Sequence, residues 1–297
     1  MPIPESQLET WSHQGSVVQS SSTYHSIKGV LEGATAPYAD KNFKIFLQGS
    51  YGNDTNIYAE SNVDIVIRLD DCFFSDTDWL SDDEKIAHKH AFKSANYTHV
   101  DFKRDVLSVL QAHYGKALDP RGKAITIDAN DSRRKSDVIA AIQFRRYSKF
   151  RSTTDSAYIE GICFFTSDGE QIANYPKQHS ENMTSKHQAT SGWLKPTARV
   201  FKNMRNKMIS EGLLATGTAP SYFLEGLLYN VPIDRFRTSY SDCVANVVNW
   251  YRDEANKPEL VCANEQYYLL RDGYHTCWPL DQCDAFIEAA VRLWNSW

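Results

Sequence analysis

Asp64 stands near the start of an apolar, β-branched run, Val63 to Leu69, and Asn62 precedes it by two positions. On a strand, side chains alternate faces, so positions 62 and 64 point the same way and can hold a divalent cation between them. Asn62 offers a carbonyl oxygen to such a cation but no negative charge. Phosphoryl or nucleotidyl transfer through two dications needs several carboxylates, to bring the ions within about 3.5–4 Å of each other. Downstream, Asp128, Asp131 and Asp137 are the alternatives for a further acid. Of these, Asp137 immediately precedes an apolar run, Val138 to Ile142, as Asp64 precedes Ile65 to Ile67. Upstream, Gly49 and Ser50 break the apolar run Ile45 to Leu47. A glycine beside a small hydroxyl lets backbone N–H groups approach a phosphate closely, and Ser50 adds a donor of its own.

The elements that must hold these residues are legible in outline. Lys44–Gln48, Val63–Leu69, Ala124–Asp128, Lys135–Arg146 and Ile162–Phe165 read as strands, with a turn at Ser167-Asp168-Gly169. Residues 16–32 carry apolar positions near helical spacing and predict an amphipathic helix ending at Gly33. Residues 1–15 read as polar and extended, 70–83 as an acid-rich surface segment, and 85–115 as helical with Gly115 as its stop. The polar run 174–190 has little hydrophobic periodicity and reads as a loop over a cleft. Asn182 within it carries an amide able to read a base edge. A helical lobe opens near Lys195, with Pro196 in its first turn and Val200, Met204 and Met208 at four-residue spacing. Its lysines are Lys195, Lys202 and Lys207. Ser221 falls at the start of a further helix, where free N–H groups suit a phosphate. The remainder, through 240–250, 264–270 and 281–294, reads as mostly helical scaffold filled by tryptophans.

Five segments in order resemble the bacterial cGAS/DncV-like nucleotidyltransferases, and in particular the clade E (CdnE-like) enzymes of CBASS anti-phage systems: GSYGNDTNIYAESNVDIVI (49–67), SDVIAAIQFRRY (136–147), DGEQIANYPKQH (168–179), GWLKPTARVFKNMRN (192–206) and APSYFLEGLLYNVP (219–232). The resemblance implies an α+β fold of two lobes. A polymerase-β-like nucleotidyltransferase core with a mixed sheet and an N-terminal spine helix would occupy 1–190, and a C-terminal helical lobe like that of OAS and cGAS would occupy 191–297. It places the third acid at Asp137 and implies two Mg²⁺ ions, with Mn²⁺ as a substitute, held by Asp64, Asp137 and position 62. Gly49, Ser50, Lys202 and Ser221 would meet the triphosphate, and Tyr222 would stack on a base. The implied reaction converts nucleoside triphosphates, ATP and UTP foremost, into a cyclic di- or trinucleotide messenger with release of pyrophosphate. Regulatory proteins of the same operon are the implied partners. Where the family carries aspartate this chain has Asn62. The residue marks either an introduced Asp→Asn exchange that traps substrates or a natural variant with weakened cation binding. A non-catalytic nucleotide-sensing module of the same fold is the alternative function.

Composition fits an enzyme of this kind. The 297 residues carry a net charge of −5, which argues against coating nucleic acid by bulk attraction. No apolar run approaches the roughly 18 residues of a membrane span, and the first residues lack a basic-then-apolar leader, so a cytoplasmic location is expected. Six scattered cysteines without a C-x-x-C pair read as small buried hydrophobes of a reducing compartment, and the histidines show no metal-ligand spacing.

Overall fold

The computed structural model describes every residue except Met1, Ser16, Ser61, Ser167 and Asp168; the first two positions of the turn expected at Ser167-Asp168-Gly169 therefore lie outside the described residues. The helices in chain order are α1 (Glu5–Ser12), α2 (Val17–Leu31), α3 (Gly49–Gly52), α4 (Asp82–Ala91), α5 (His99–Tyr114), α6 (Pro176–Ala189), α7 (Leu194–Ser210), α8 (Ser221–Asn230), α9 (Tyr240–Asp253) and α10 (Leu280–Ser296). The strands are β1 (Phe43–Gln48), β2 (Val63–Asp76), β3 (Leu118–Asp119), β4 (Ile125–Ile127), β5 (Ser136–Ser152), β6 (Asp155–Phe165) and β7 (Gln171–Asn174). Two compact units result: Val18–Gln48 with Asn62–Pro176, and Met1–Val17 with Gly49–Ser61 and Lys177–Trp297. This differs from a linear division at 190/191, because Asn53 and Thr55 donate to Glu225 of α8 and Asp54 accepts from Lys195 and Arg199 of α7, which ties the 49–61 segment to these helices.

The first unit is built on one seven-stranded mixed sheet of order β1-β2-β5-β4-β3, with β6 pairing β5 and β7 pairing β6. Only β2 and β5 run parallel among its pairs, and α4 and α5 supply the crossover that a parallel pair requires. The β-branched residues of β2 and β5 are buried on both faces: Val63, Ile65, Val66, Ile67 and Val138 are all fully covered. Helix α5 packs on β5 and β2 through Phe102, Val106 and Leu110, and His99 Nε2 lies 3.0 Å from the Ala140 carbonyl.

Here the structure corrects three expectations. Strand β2 continues through Asp76 rather than giving way to a surface loop at 70. Its acids are tolerated because Asp70 pairs with Arg68 at 2.6 Å and Asp76 with Arg146 at 2.9 Å. The helix expected over 85–115 is two helices. Each opens on a capping box, Ser81 with Glu84 and Thr98 with Asp101, and the second box stops the chain from running on. Strand β6 begins at Asp155, well before the expected 162, because it completes a long hairpin with β5.

In the second unit α7 carries the core. Val200, Met204 and Met208 are fully buried as their spacing predicts, and Phe201 packs with Phe286 and the ring of Trp278 in one cluster. Three expectations fail in this unit too. The N-terminal stretch forms α1, stabilised by burial of Leu8 and by the Glu5 carboxylate, which accepts from the backbone N–H groups of Tyr240 and Ser241 at 2.7 and 2.8 Å and so caps α9. Residues 176–189 are helix α6 instead of a loop: Pro176 opens it, and its buried stripe reduces to His179 and Met183, too narrow for periodicity to register. Residues 264–270 form no helix but a turn closed by the Val261–Tyr268 bridge. All six cysteines are free and buried, and among the described residues no helix is long and apolar enough to cross a membrane.

Candidate active site

The acids form a row on the sheet. Asp64 of β2 and Asp137 of β5 are direct partners in the parallel register; Gln48 of β1 pairs with Asp64, and Thr126 of β4 with Asp137. Paired residues on adjacent strands point to the same face, so the four side chains stand side by side across four strands. Asp64 and Asp137 are half-buried, whereas the next residues along this face, Val66 and Ile139, belong to an apolar cluster. The row is thus where apolar packing ends and charge becomes tolerable.

Each oxygen of Asp137 accepts one hydrogen bond. Thr126 Oγ1 donates to Oδ1 at 2.6 Å, and the exposed Asn62 donates Nδ2 to Oδ2 at 3.3 Å. The Asn62 amide presents positive polarity to the carboxylate, in the sense a cation would. Turned over, it would offer Oδ1 instead. Among the described residues, Gln48 Oε1 is buried without a hydrogen-bond partner, so it stands as an unsatisfied hard oxygen beside the two carboxylates of the row. Oxygen donors of this kind suit Mg²⁺ or Mn²⁺. Among the described residues no three His, Cys, Asp or Glu side chains gather into a metal-binding group. Thr126, which sequence reasoning missed, fixes the orientation of Asp137. Thr126→Val is expected to lower divalent-cation affinity about 10- to 100-fold, the usual cost of losing an outer hydrogen bond to a ligand, measured by Mn²⁺ titration.

The residues expected to meet phosphate lie in the second unit. Gly49 adopts φ +66°, a left-handed conformation open to glycine, which turns the chain out of β1 into the single turn α3. Ser50 follows, half-buried, and its hydroxyl accepts from Lys202 Nζ at 2.8 Å. Lys202 is fully buried on α7, and its ammonium also meets Thr55 Oγ1 at 2.9 Å, the Thr55 carbonyl at 3.1 Å and Glu225 Oε1 at 2.6 Å. Glu225, fully buried on α8, accepts four donors: Lys202 and Thr55 on Oε1, and Asn53 Nδ2 (3.1 Å) and His179 Nε2 (2.6 Å) on Oε2. Burial pushes this carboxyl up, but Lys202 and His179 beside it more than reverse that and hold it well below the ordinary range.

The folded pKa is depressed, so the stability Glu225 contributes is fully present above its unfolded value, about 4.3, and is lost as pH falls through the folded one. Thermal stability is expected to be flat in this group from pH 5 upward and to fall below pH 4. Glu225→Gln should abolish that component in melts recorded against pH.

Ser221 opens α8 as expected. Its hydroxyl accepts from Arg205 Nη1 at 3.1 Å and donates to Glu60 Oε2 at 3.2 Å, while Arg205 Nη2 ion-pairs with Glu60 Oε1. A carboxylate is therefore held at the α8 N-terminus by two of the groups that would hold an anion. Tyr222 is half-buried; its ring stacks on His179 (centroids 5.2 Å apart, 27° between planes), and its hydroxyl accepts from Asn264 Nδ2 at 2.9 Å. Asn182 sits on α6 rather than on a loop, and its amide donates to the Ala263 carbonyl at 2.8 Å, leaving Oδ1 as its acceptor. Lys195, the other buried lysine of α7, pairs with Asp54 at 3.1 Å. Sequence reasoning missed Glu225, Arg205 and His179. A lone acid in the apolar run FLEGLL was the signal for the first.

Comparison with known proteins gives consistent results. A family model for the cGAS/DncV-like nucleotidyltransferase C-terminal helical domain matches residues 181–295. The cyclic UMP-AMP synthase of Rhodothermus marinus is 37% identical over 100% of this chain and 99% of its own length. A cyclic nucleotide synthase of Staphylococcus haemolyticus is 36% identical, with all of both chains covered. Among solved structures, R. marinus CdnE c-UMP-AMP synthase with Apcpp and Upnpp superposes with a TM-score of 0.89 at 36% identity, covering 100% of this chain and 98% of that one. The Elizabethkingia meningoseptica CdnE cyclic dinucleotide synthase with GTP and Apcpp gives 0.77 at 28% identity, covering 99% and 98%.

Proposed function

The chain belongs to the cGAS/DncV-like nucleotidyltransferases, among the CdnE cyclic nucleotide synthases, and from that membership we propose that it joins nucleoside triphosphates into a cyclic di- or trinucleotide, releasing one pyrophosphate per bond. The observation that carries the reading is the side-by-side register of Asp64 and Asp137, both half-buried on one face of the sheet. ATP and UTP are the substrates to test first, since the R. marinus relative is a cyclic UMP-AMP synthase. The product would act as a second messenger in anti-phage defence, under control of regulatory proteins encoded nearby.

Enzymes of this family generally use divalent metals. Asp64 and Asp137, with position 62, would hold two Mg²⁺ ions, or Mn²⁺ in their place; when bound, these supply a lowered pKa for the attacking hydroxyl and charge stabilisation for the leaving pyrophosphate. The chain's own residues do the rest. Thr126 sets the angle of the Asp137 carboxylate. Gly49 and Ser50 bind the triphosphate, with Ser221 and Arg205 offering further donors to it, and Tyr222 orients a base. Glu60 competes with phosphate for Ser221 and Arg205, so it must yield when nucleotide binds.

One observation favours a second reading, a nucleotide-binding module without turnover: the hydrogen bond from Asn62 to Asp137 occupies a carboxylate oxygen that a cation would need. Pyrophosphate released per nucleotide consumed, with ATP and UTP present together, separates the two. Synthesis yields two pyrophosphates per cyclic dinucleotide. A chain that binds triphosphate yet releases none, even with aspartate at position 62, is a sensor.

A further inference from the structure

Lys202 has no exposed surface, and its ammonium is surrounded by Ser50 Oγ, both oxygens of Thr55 and Glu225 Oε1. An ammonium only donates, and with three protons for four oxygens it shares one of them, so Ser50 Oγ, at 2.8 Å, stands toward it as an acceptor. For Thr55 the consequence is plain, because its own hydroxyl proton goes to Glu225 Oε1. For Ser50 it is more useful. The hydroxyl accepts from Lys202 within the protein, so its own proton is directed away from the ammonium, on a side chain that is half-exposed.

We propose that Glu225 is a positioning residue for the triphosphate: it fixes Lys202, and Lys202 in turn polarises Ser50 and turns its hydroxyl into an outward-pointing donor for a phosphate oxygen. The proposal rests on the reading of Ser50 as a triphosphate ligand and gives Lys202 a different part from the direct contact that the family resemblance implies. Three features of the site agree with it. Glu225 collects donors from four residues spread over the 49–61 segment, α6 and α7, as a fixed anchor would. A carboxylate so engaged stays ionised when other charges arrive. A cation held behind a hydroxyl increases its acidity as a donor, so the bond to an anionic phosphate is charge-assisted on both sides.

The test is a double-mutant cycle on the full chain, with ATP binding in the presence of Mg²⁺ read by calorimetry. Ser50→Ala is expected to weaken ATP about 10- to 100-fold, the range for a hydrogen bond to a charged group. Glu225→Gln should weaken it by a similar factor, and the two together by no more than the larger single effect. Because Glu225→Gln leaves a buried ammonium poorly matched and can unfold the chain, the cycle is repeated with the charge-free pair Lys202→Met and Glu225→Gln, whose amide oxygen still accepts from the neighbouring donors. The folded pair should lose the same factor. Additive losses, or a folded pair that binds ATP as tightly as the parent, overturn the relay while leaving Ser50 a ligand. Ser50→Ala without effect on ATP overturns the underlying reading of Ser50, and the relay with it.

Discussion

Asn62→Asp is expected to raise cyclic-nucleotide formation about 10- to 100-fold at millimolar Mg²⁺, because the charge count of a site sets its affinity for a dication. The structure gives the reason for the direction. Asn62 Nδ2 lies 3.3 Å from Asp137 Oδ2, and an aspartate there would bring two carboxylates into the same space. Like charges this close cannot both ionise in the absence of a counter-charge. The exchange should therefore cost stability in chelator and restore it when Mg²⁺ or Mn²⁺ is added, so the melting temperature of Asn62→Asp should respond to metal far more than that of the parent. Equal rates and equal metal responses would show that position 62 is not a cation ligand.

The second large effect is the loss of either remaining acid. In the Asn62→Asp form, Asp137→Ala or Asp64→Ala should lower the rate of bond formation about a thousandfold or more. Charge stabilisation by a bound dication contributes several kcal/mol at the transition state, and each ~1.4 kcal/mol is a factor of ten. Triphosphate binding through Ser50 and Ser221 belongs to separate residues and should persist in the metal-free assay. The two variants should behave alike, since Asp64 and Asp137 are register partners rather than one ligand and one bystander. A rate kept by Asp137→Ala but lost by Asp64→Ala would return Asp128 or Asp131 to consideration as the further acid. Asp128 lies just beyond the end of β4, and Asp131 outside any strand.

Much of the acid row was legible because it depends on local pattern. Asp64 and Asp137 each head a β-branched run, and strand alternation alone fixes which neighbours share their face. Ser221 was legible for a similar reason: Pro220 and the apolar run after it announce a helix start. The unread parts are those whose cause is tertiary. Helix α6 has only His179 and Met183 as its buried stripe, and it is held by contacts such as His179 with Glu225, far along the sequence. Helix α1 owes its order to a carboxylate that caps α9. The acids of β2 beyond Leu69 looked like loop residues because their arginine partners, Arg68 and Arg146, neutralise them on the strand. Lys202 was found by resemblance, yet its burial and its four oxygen neighbours follow from packing that no spacing rule reports.

The carboxylate row on the sheet is the centre of this account, and product analysis tests it most directly. The Asn62→Asp chain and its Asp137→Ala derivative are incubated with each pair of nucleoside triphosphates and Mg²⁺, and phosphatase-resistant products are identified by mass. A cyclic dinucleotide or trinucleotide is expected from the first chain and none from the second. The same cyclic product in equal amounts from both would place the chemistry away from Asp64 and Asp137.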